Sequence, residues 1–466
     1  MALAGLVLAA PGTGRAAPRL VDSLAGLQLA IDAAVAGDVI TLKNGVYTTT
    51  ETITVNRGGT AERPVTIVAE TAGGVELAGA QGFNVVAPAA YVVIAGFNFT
   101  HAAGTTDTTG GAIGGNTIGA DTSHVRFTRC SFRCSGEGSD LSVMGDDAQV
   151  DYSEFSEKKT AGVMIAVSGS GDQIARNVWI HHNYFHDLAP NAGSTVMIRF
   201  GLLSALGLST GTGLVEHNLF ARCRGTGEVV SNRSCGNTYR YNTFVDTFNA
   251  PFALHLGNDC SVYGNYFLRT DGVRIYGDRH QIYSNYFEGN FIGINLGNGD
   301  GEVADGAAPA TVHDRPDNCV IAFNTFIDNK TNLQMSSRKA NALGATNTTF
   351  ANNIIQGDGV VARIDGPYAK AVWSGNLLWH TGEAGDLPAE GYTKADPLLV
   401  AGPDGIKRLQ AGSPAIEAAA GSFPAVAFDM DGQARPEKKS IGADELSTEP
   451  AGAKFLTVAD VGPDEK

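Results

Sequence analysis

VEHNLFARCRGTGEVVSNRSCGNTYRYNTF (215–244) holds one phrase twice, HNLF at 217–220 and YNTF at 241–244, with a strand-like run of alternating residues between them. The phrase recurs on both sides: HNYF (182–185), GNYF (264–267), SNYF (284–287), FNTF (323–326), NNII (352–355) and GNLL (375–378). Successive asparagines are separated by 35, 24, 23, 20, 39, 29 and 23 residues. A basal period of 20 to 24 residues, lengthened by insertions, is the mark of stacked coils, each too small to bury its own apolar face. Short strands separated by Gly and Asn turns predict an all-β chain, a right-handed parallel β-helix. Each Asn should stand at a tight corner and bond its counterpart in the next coil, with the aromatic that follows turned inward to stack.

Upstream, VDSLAGLQLAIDAAVA (21–36) spaces Leu24, Leu27, Ile31 and Ala34 as one face of a helix, and Gly37 follows the run. This predicts an N-terminal helix capping the open end of the solenoid, where bare strand edges would otherwise pair with another chain. Residues 2–17, ALAGLVLAAPGTGRAA, read as the apolar core and small-residue end of a signal remnant, so export to the periplasm or medium is expected. The domain reading is therefore 1–17 signal remnant, 18–447 one β-helix domain, and 448–466 a tail expected to be disordered.

The chain has 466 residues, 43% of them hydrophobic, enough to bury a full core, and 59 glycines against only 17% charged residues. The net charge of −15 argues against nucleic acid as a partner, and no further apolar run is long enough for a membrane span. Between Arg199 and Arg279, however, eight arginines face six acids and there is no lysine. The middle of the chain is locally cationic, as a groove for an acidic polysaccharide would be. The largest insertions, 187–213 and 297–317, flank these coils and are placed to wall such a groove. The six cysteines form no CxxC pair and read chiefly as buried small hydrophobes. Monomer and homo-oligomer remain equally open.

From Val21 to Leu446 the chain resembles the family-six polysaccharide lyases, which include alginate lyases and chondroitinase B. The likeness lies in LQLAIDAAVAGDVITLKNGVY (27–47), GGTAERPVTIVAETAGGVELAG (58–79), MIRFG (197–201), the stretch 215–244, ALHLGNDCSVYGNYF (253–267), VRIYGDRHQIYSNYFEG (273–289) and the tail through SIGADEL (440–446). The resemblance implies β-elimination of a uronate polymer. In that family the central coil reads GExExxSNKS; its two glutamates help hold a calcium ion and its lysine removes the C5 proton. Here those positions are Thr226, Glu228 and Arg233, while the family's arginine in LRHGN is His255 in LHLGN. A further family ligand, an Asn before the IRxG coil, has Asn191 as its nearest counterpart.

Such an elimination needs the uronate carboxylate neutralised, a base for the C5 proton and an acid for the leaving oxygen. Arg233 suits the first task, since a planar guanidinium grips a carboxylate in bidentate fashion. As a base it is poorer, though pectate lyases, also β-helices, are thought to use arginine so; the imidazole of His255 is the easier one. Tyr239 and Tyr241 are candidate proton donors. Arg199, Arg274, His280 and Lys159 are candidate substrate binders, and Glu228 either ligates a cation or holds Arg233 by an ion pair. The cofactor expectation is accordingly none, or Ca2+ at Glu228. Asp259, Asp271 and Asp278 keep alive a glycoside hydrolase or transglycosylase on the same scaffold, and the triple substitution a glycan binder without catalysis.

Overall fold

The computed structural model describes residues 19–106, 112–113, 115–188, 195–201, 208–224, 227–303, 313–336 and 343–464. They form a right-handed parallel β-helix with three faces. One coil shows the plan: Leu214–Glu216 lies on the first face, Leu219–Cys223 on the second and Glu228–Arg233 on the third, and Thr238–Arg240 then returns to the first, in parallel register with Leu214–Glu216. The described strands stack into sheets of 14, 14 and 12 on these faces.

The asparagine repeat is the spine between the first two faces. Asn218, Asn242, Asn265, Asn285, Asn324, Asn353 and Asn376 are fully buried. In each coil the side-chain oxygen accepts from the backbone N–H and the amide of the preceding Asn, as Asn265 does from Asn242 at 3.0 Å in both contacts. The left-handed corner residue is the one before each Asn (His217 φ 53°, Tyr241 φ 54°, Ser284 φ 52°), not the Asn itself. The Asn is spent on hydrogen bonds to buried backbone groups that the corner strips from the sheet ladders.

Two residues on, the aromatics stack as expected. Phe132, Phe155, Phe185, Phe220, Phe244, Phe267, Phe287 and Phe326 form a column with centroids 4.4–4.9 Å apart and planes within 12°. That is the spacing of neighbouring strands, so the strand repeat sets the stack. The helix Leu24–Asp32, capped by Ser23, buries Leu27, Ala30 and Ile31 against the first coil. All six cysteines are buried, and none is joined in a disulfide. No described helix is long and apolar enough to cross a membrane.

The C-terminal segment does not hang free. Ile406, Met430 and Ala443 cover Tyr266 and Tyr286 on the outside of the second face, and Leu456 and Val461 cover Tyr184 and Leu219. The expectation of a disordered tail is thus corrected for 448–464: Leu456 N–H donates to Thr243 Oγ1 and Gly462 N–H to the carbonyl of His182. Apolar and aromatic outward positions on the second face need a cover, and this segment supplies it.

Candidate functional site

The outward side of the third face carries the candidate site. Strands here depart from strict alternation, because two successive side chains turn inward: Met164 and Ile165, Met197 and Ile198, Val229 and Val230 all lie in the core. Glu228 and Ser231 consequently share the outer side, with Arg233 beyond them. In parallel register, Arg199 stands beside Ser231, Ser231 beside Ala253, and Ala253 beside Arg274. The register between Glu228–Arg233 and Phe252–Leu256 shifts after Asn232, so that Arg233 pairs with Leu256 and His255 is the extra residue. An irregularity of this kind re-aims a side chain, and here it is His255 that is re-aimed.

Glu228 is the hub. Its side chain is 7% exposed, and one carboxylate oxygen accepts from His255 Nδ1 at 2.8 Å and from the Arg274 guanidinium. The other oxygen lies 4.0 Å from the Arg233 guanidinium, whose Nε donates to Ser231 Oγ at 3.0 Å. Burial alone would raise the Glu228 pKa, but the His255 hydrogen bond and the charges of His255 and Arg274 outweigh it and hold the carboxyl at about 2. Burial also pushes Arg233 and Arg199 below the ordinary arginine value; Arg274 adds to this at Arg233, where Glu228 opposes it, and Arg233 adds to it at Arg199. The Nε atoms of Arg199 and Arg274 are buried without a hydrogen-bond acceptor among the described residues. Arg233 and Arg274 share one carboxylate, with Arg199 adding its charge beside Arg233, so the site is short of negative charge.

The remaining candidates divide sharply. Tyr239 is completely buried, its hydroxyl donating to Asn232 Oδ1 at 2.9 Å and its ring packed against Phe200 and Phe252, so it is no proton donor to a substrate. Tyr241 faces the opposite side of the solenoid, where it stacks on His217 and lies under Val426 and Ala453. Tyr239 lies on a strand of the first face, and Tyr241 is the corner residue that follows it. His280 is also buried; Nδ1 accepts from the Cys260 N–H at 3.1 Å, Nε2 donates to the Tyr276 carbonyl at 2.9 Å, and burial lowers its pKa to about 4. It is a neutral corner brace, not a substrate binder. Lys159 is exposed at the turn before Gly162–Val167, the strand beside that of Arg199. Its neighbour Lys158 is buried instead, donating to Asp140 at 2.8 Å. Thr226 and Asn191 lie outside the described residues.

The acids reserved for a hydrolase do not gather on this face. Asp259 is bound by Arg279 at 2.8 and 2.9 Å, Asp271 accepts the Ala250 N–H at 3.0 Å, and Asp278, pushed up to about 7 by burial and by Asp314 and Asp317, sits across Arg279 from Asp259.

A group absent from the candidate list completes the site. His313 and Tyr276 pack with His255, ring centroids lying 4.8 Å apart for His255 and His313 and 4.6 Å for Tyr276 and His313. His313 Nδ1 is 3.1 Å from Asp300 Oδ2. The signal was the insertion 297–317, legible as a groove wall but not as the source of a particular side chain.

Calcium, which the family resemblance implies, meets a poor donor set. Glu228 is enclosed by Arg233, His255 and Arg274, and Thr226 offers a hydroxyl where a second carboxylate would be needed. Among the described residues no three His, Cys, Asp or Glu side chains converge as a metal cage. A hard divalent cation wants six to eight oxygens, and these residues do not fit one.

The chondroitinase B family model matches residues 21–384. Among solved structures, the PL6-family alginate lyase AlyGC is 21% identical with a TM-score of 0.74, covering 97% of this chain, which spans 59% of that protein's length. A mannuronic-acid-specific family 6 lyase from human gut microbiota is 20% identical with a TM-score of 0.68, covering 81% of this chain and 91% of its own. The PL6-family polysaccharide lyase Pedsa3628 from Pseudopedobacter saltans is 18% identical with a TM-score of 0.60, covering 95% and 98%. At such identities these likenesses speak for the fold alone. No curated protein matches the chain.

Proposed function

This chain belongs to the chondroitinase B family, and on that premise we propose that it is an exported polysaccharide lyase, secreted or periplasmic, that cleaves a uronate-containing polymer by β-elimination without calcium. Alginate is the first candidate and a dermatan or chondroitin-type glycan the second. One observation carries the reading: a single ionised, buried carboxylate, Glu228, orients His255 while the guanidiniums of Arg233 and Arg274 flank it.

Because Glu228 is ionised at neutral pH, it accepts a hydrogen bond from Nδ1–H, which leaves Nε2 as the ring nitrogen free to present a lone pair to the substrate. That nitrogen is the base for the C5 proton. Arg233, with Arg199 and Arg274, takes the uronate carboxylate and stabilises the negative charge that develops on it as the proton leaves. A guanidinium short of counter-charge gains most from an anionic sugar. The hydrolase reading is weaker, because among the described residues Asp259 is held by Arg279, Asp271 accepts the Ala250 N–H and Glu228 is held by His255 and Arg274, which pairs none of them as acid and base.

The test is to add the purified chain to alginate, to its mannuronate and guluronate blocks, and to dermatan and chondroitin sulfates, and to record the ultraviolet absorbance of a C4=C5 unsaturated uronate. At least one polymer should give that signal, and silence across all of them overturns the assignment. A chelator should leave the rate within about twofold; a loss of tenfold or more would mean that a cation, not arginine, stabilises the developing charge.

A further inference from the structure

Elimination leaves one task unassigned once Tyr239 and Tyr241 are excluded by burial: something must protonate the departing O4. We propose that His313 is that acid, acting opposite His255 on the same sugar; the inference rests on the lyase reading above. His313 and His255 lie in one ring cluster with Tyr276, the two imidazole centroids 4.8 Å apart. Each is oriented through Nδ1 by its own carboxylate, His255 by Glu228 at 2.8 Å and His313 by Asp300 at 3.1 Å. Their side chains are 19% and 24% exposed, partly open to solvent while packed on one another.

The two surroundings differ in sign. His255 lies beside a carboxylate that Arg274 also holds and Arg233 approaches. His313 projects from the insertion that carries Asp300, Glu302, Asp314 and Asp317, with Asp278 behind them; Arg315, paired to Glu302, and Arg279, beside Asp278, are described cations among them. The acidic surroundings suit His313 to giving a proton, and the cationic ones suit His255 to taking one. Neighbouring groups whose environments pull in opposite directions are the usual basis for dividing acid from base.

The step balances without any further reactant. His255 Nε2 removes the proton from C5, and the C–H electron pair becomes the C4=C5 double bond. The C4–O4 bond breaks, its electrons stay on O4, and the proton on His313 completes the new hydroxyl. His255 ends protonated and His313 neutral, and proton exchange between the rings or with water restores both. C5 and O4 flank the same carbon, so a pair of rings this close spans both reacting atoms.

The experiment compares wild type, His313→Gln, Asp300→Asn and His255→Gln on the cleaved polymer and on a small uronide carrying an aryloxide leaving group at C4, which departs without protonation. His313→Gln should lower kcat on the polymer by about 100-fold or more, the usual worth of a positioned acid, with KM nearly constant, and should keep near wild-type kcat on the aryloxide. Asp300→Asn should show a smaller loss of the same selective kind, and it keeps the test decisive if the glutamine variant fails to fold. His255→Gln should fail on both substrates. Equal losses on the two substrates for His313→Gln, or no loss on the polymer, overturn the assignment. A wild-type chain that produces no unsaturated product from any uronate polymer instead overturns the reading on which it rests.

Discussion

A carboxylate buried among two guanidiniums and an imidazole keeps its charge because their attraction exceeds the cost of burial, and Glu228 in turn fixes which nitrogen of His255 bears hydrogen. Glu228→Gln preserves the size of the side chain and removes the charge. It should lower kcat by about 100-fold or more while moving KM little, as when a histidine loses its orienting carboxylate. A variant with unchanged kcat would detach Glu228 from the chemistry. The acid limb follows from the same group: its folded pKa is depressed, so its contribution to stability is complete above the ordinary carboxylate range and is lost as pH falls toward about 2. At this scale Arg233, His255, Glu228 and Arg274 were legible as neighbours because they fall in coils whose motif is continuous. The sequence misjudged Tyr239, Tyr241 and His280 because residue type does not tell which side of a strand or corner a side chain takes.

Among elements, the asparagine spine is the clearest case of local chemistry dictating architecture. Asn265 donates at 3.0 Å to the carbonyls of Tyr239 and Tyr263 and to Asn285 Oδ1, while accepting from Asn242. Asn265→Ala strands several of these groups in a dry interior, where each unsatisfied one costs about 1–3 kcal/mol. We expect a loss of roughly 3 kcal/mol or more, read as a shift in the urea midpoint at constant slope. A shift under about 1 kcal/mol would mean that water replaces the side chain. The repeat was legible because identical coils need identical corners. The doubled inward residues at Met197–Ile198 and Val229–Val230 were not, since a period-two reading assigns alternate positions to opposite sides. That bend, with the register shift beside His255, sets the outward row of the site.

Over the whole molecule, the C-terminal segment returns along the second face, and its anchoring carries a pH dependence of opposite sign. Asp444, buried beside Asp429 and Asp431, accepts the Leu409 N–H at 2.7 Å. Burial and those two acids raise its pKa to about 8, against the opposing Leu409 hydrogen bond and Arg408. A carboxyl with a raised folded pKa stabilises most below its ordinary value and loses that contribution as pH rises through the folded pKa. The wild-type melting temperature should therefore decline between about pH 4 and pH 8 from this group. Asp444→Asn should flatten the decline, matching wild type near the acid end and exceeding it at the alkaline end; parallel curves would rule Asp444 out as the cause.

The amino-acid order by itself determined the solenoid, its period, its capping helix and the coils that bear the site, because each of these is a short-range pattern repeated until stacking is the only way to bury it. Only the tertiary structure decided which side chains meet across coils and across the 297–317 insertion: Glu228 with Arg274, His255 with His313, the C-terminal return with Tyr184 and Tyr266. Those meetings depend on register, bends and insertion paths, which are fixed by packing between segments far apart in the chain, and no local propensity encodes them.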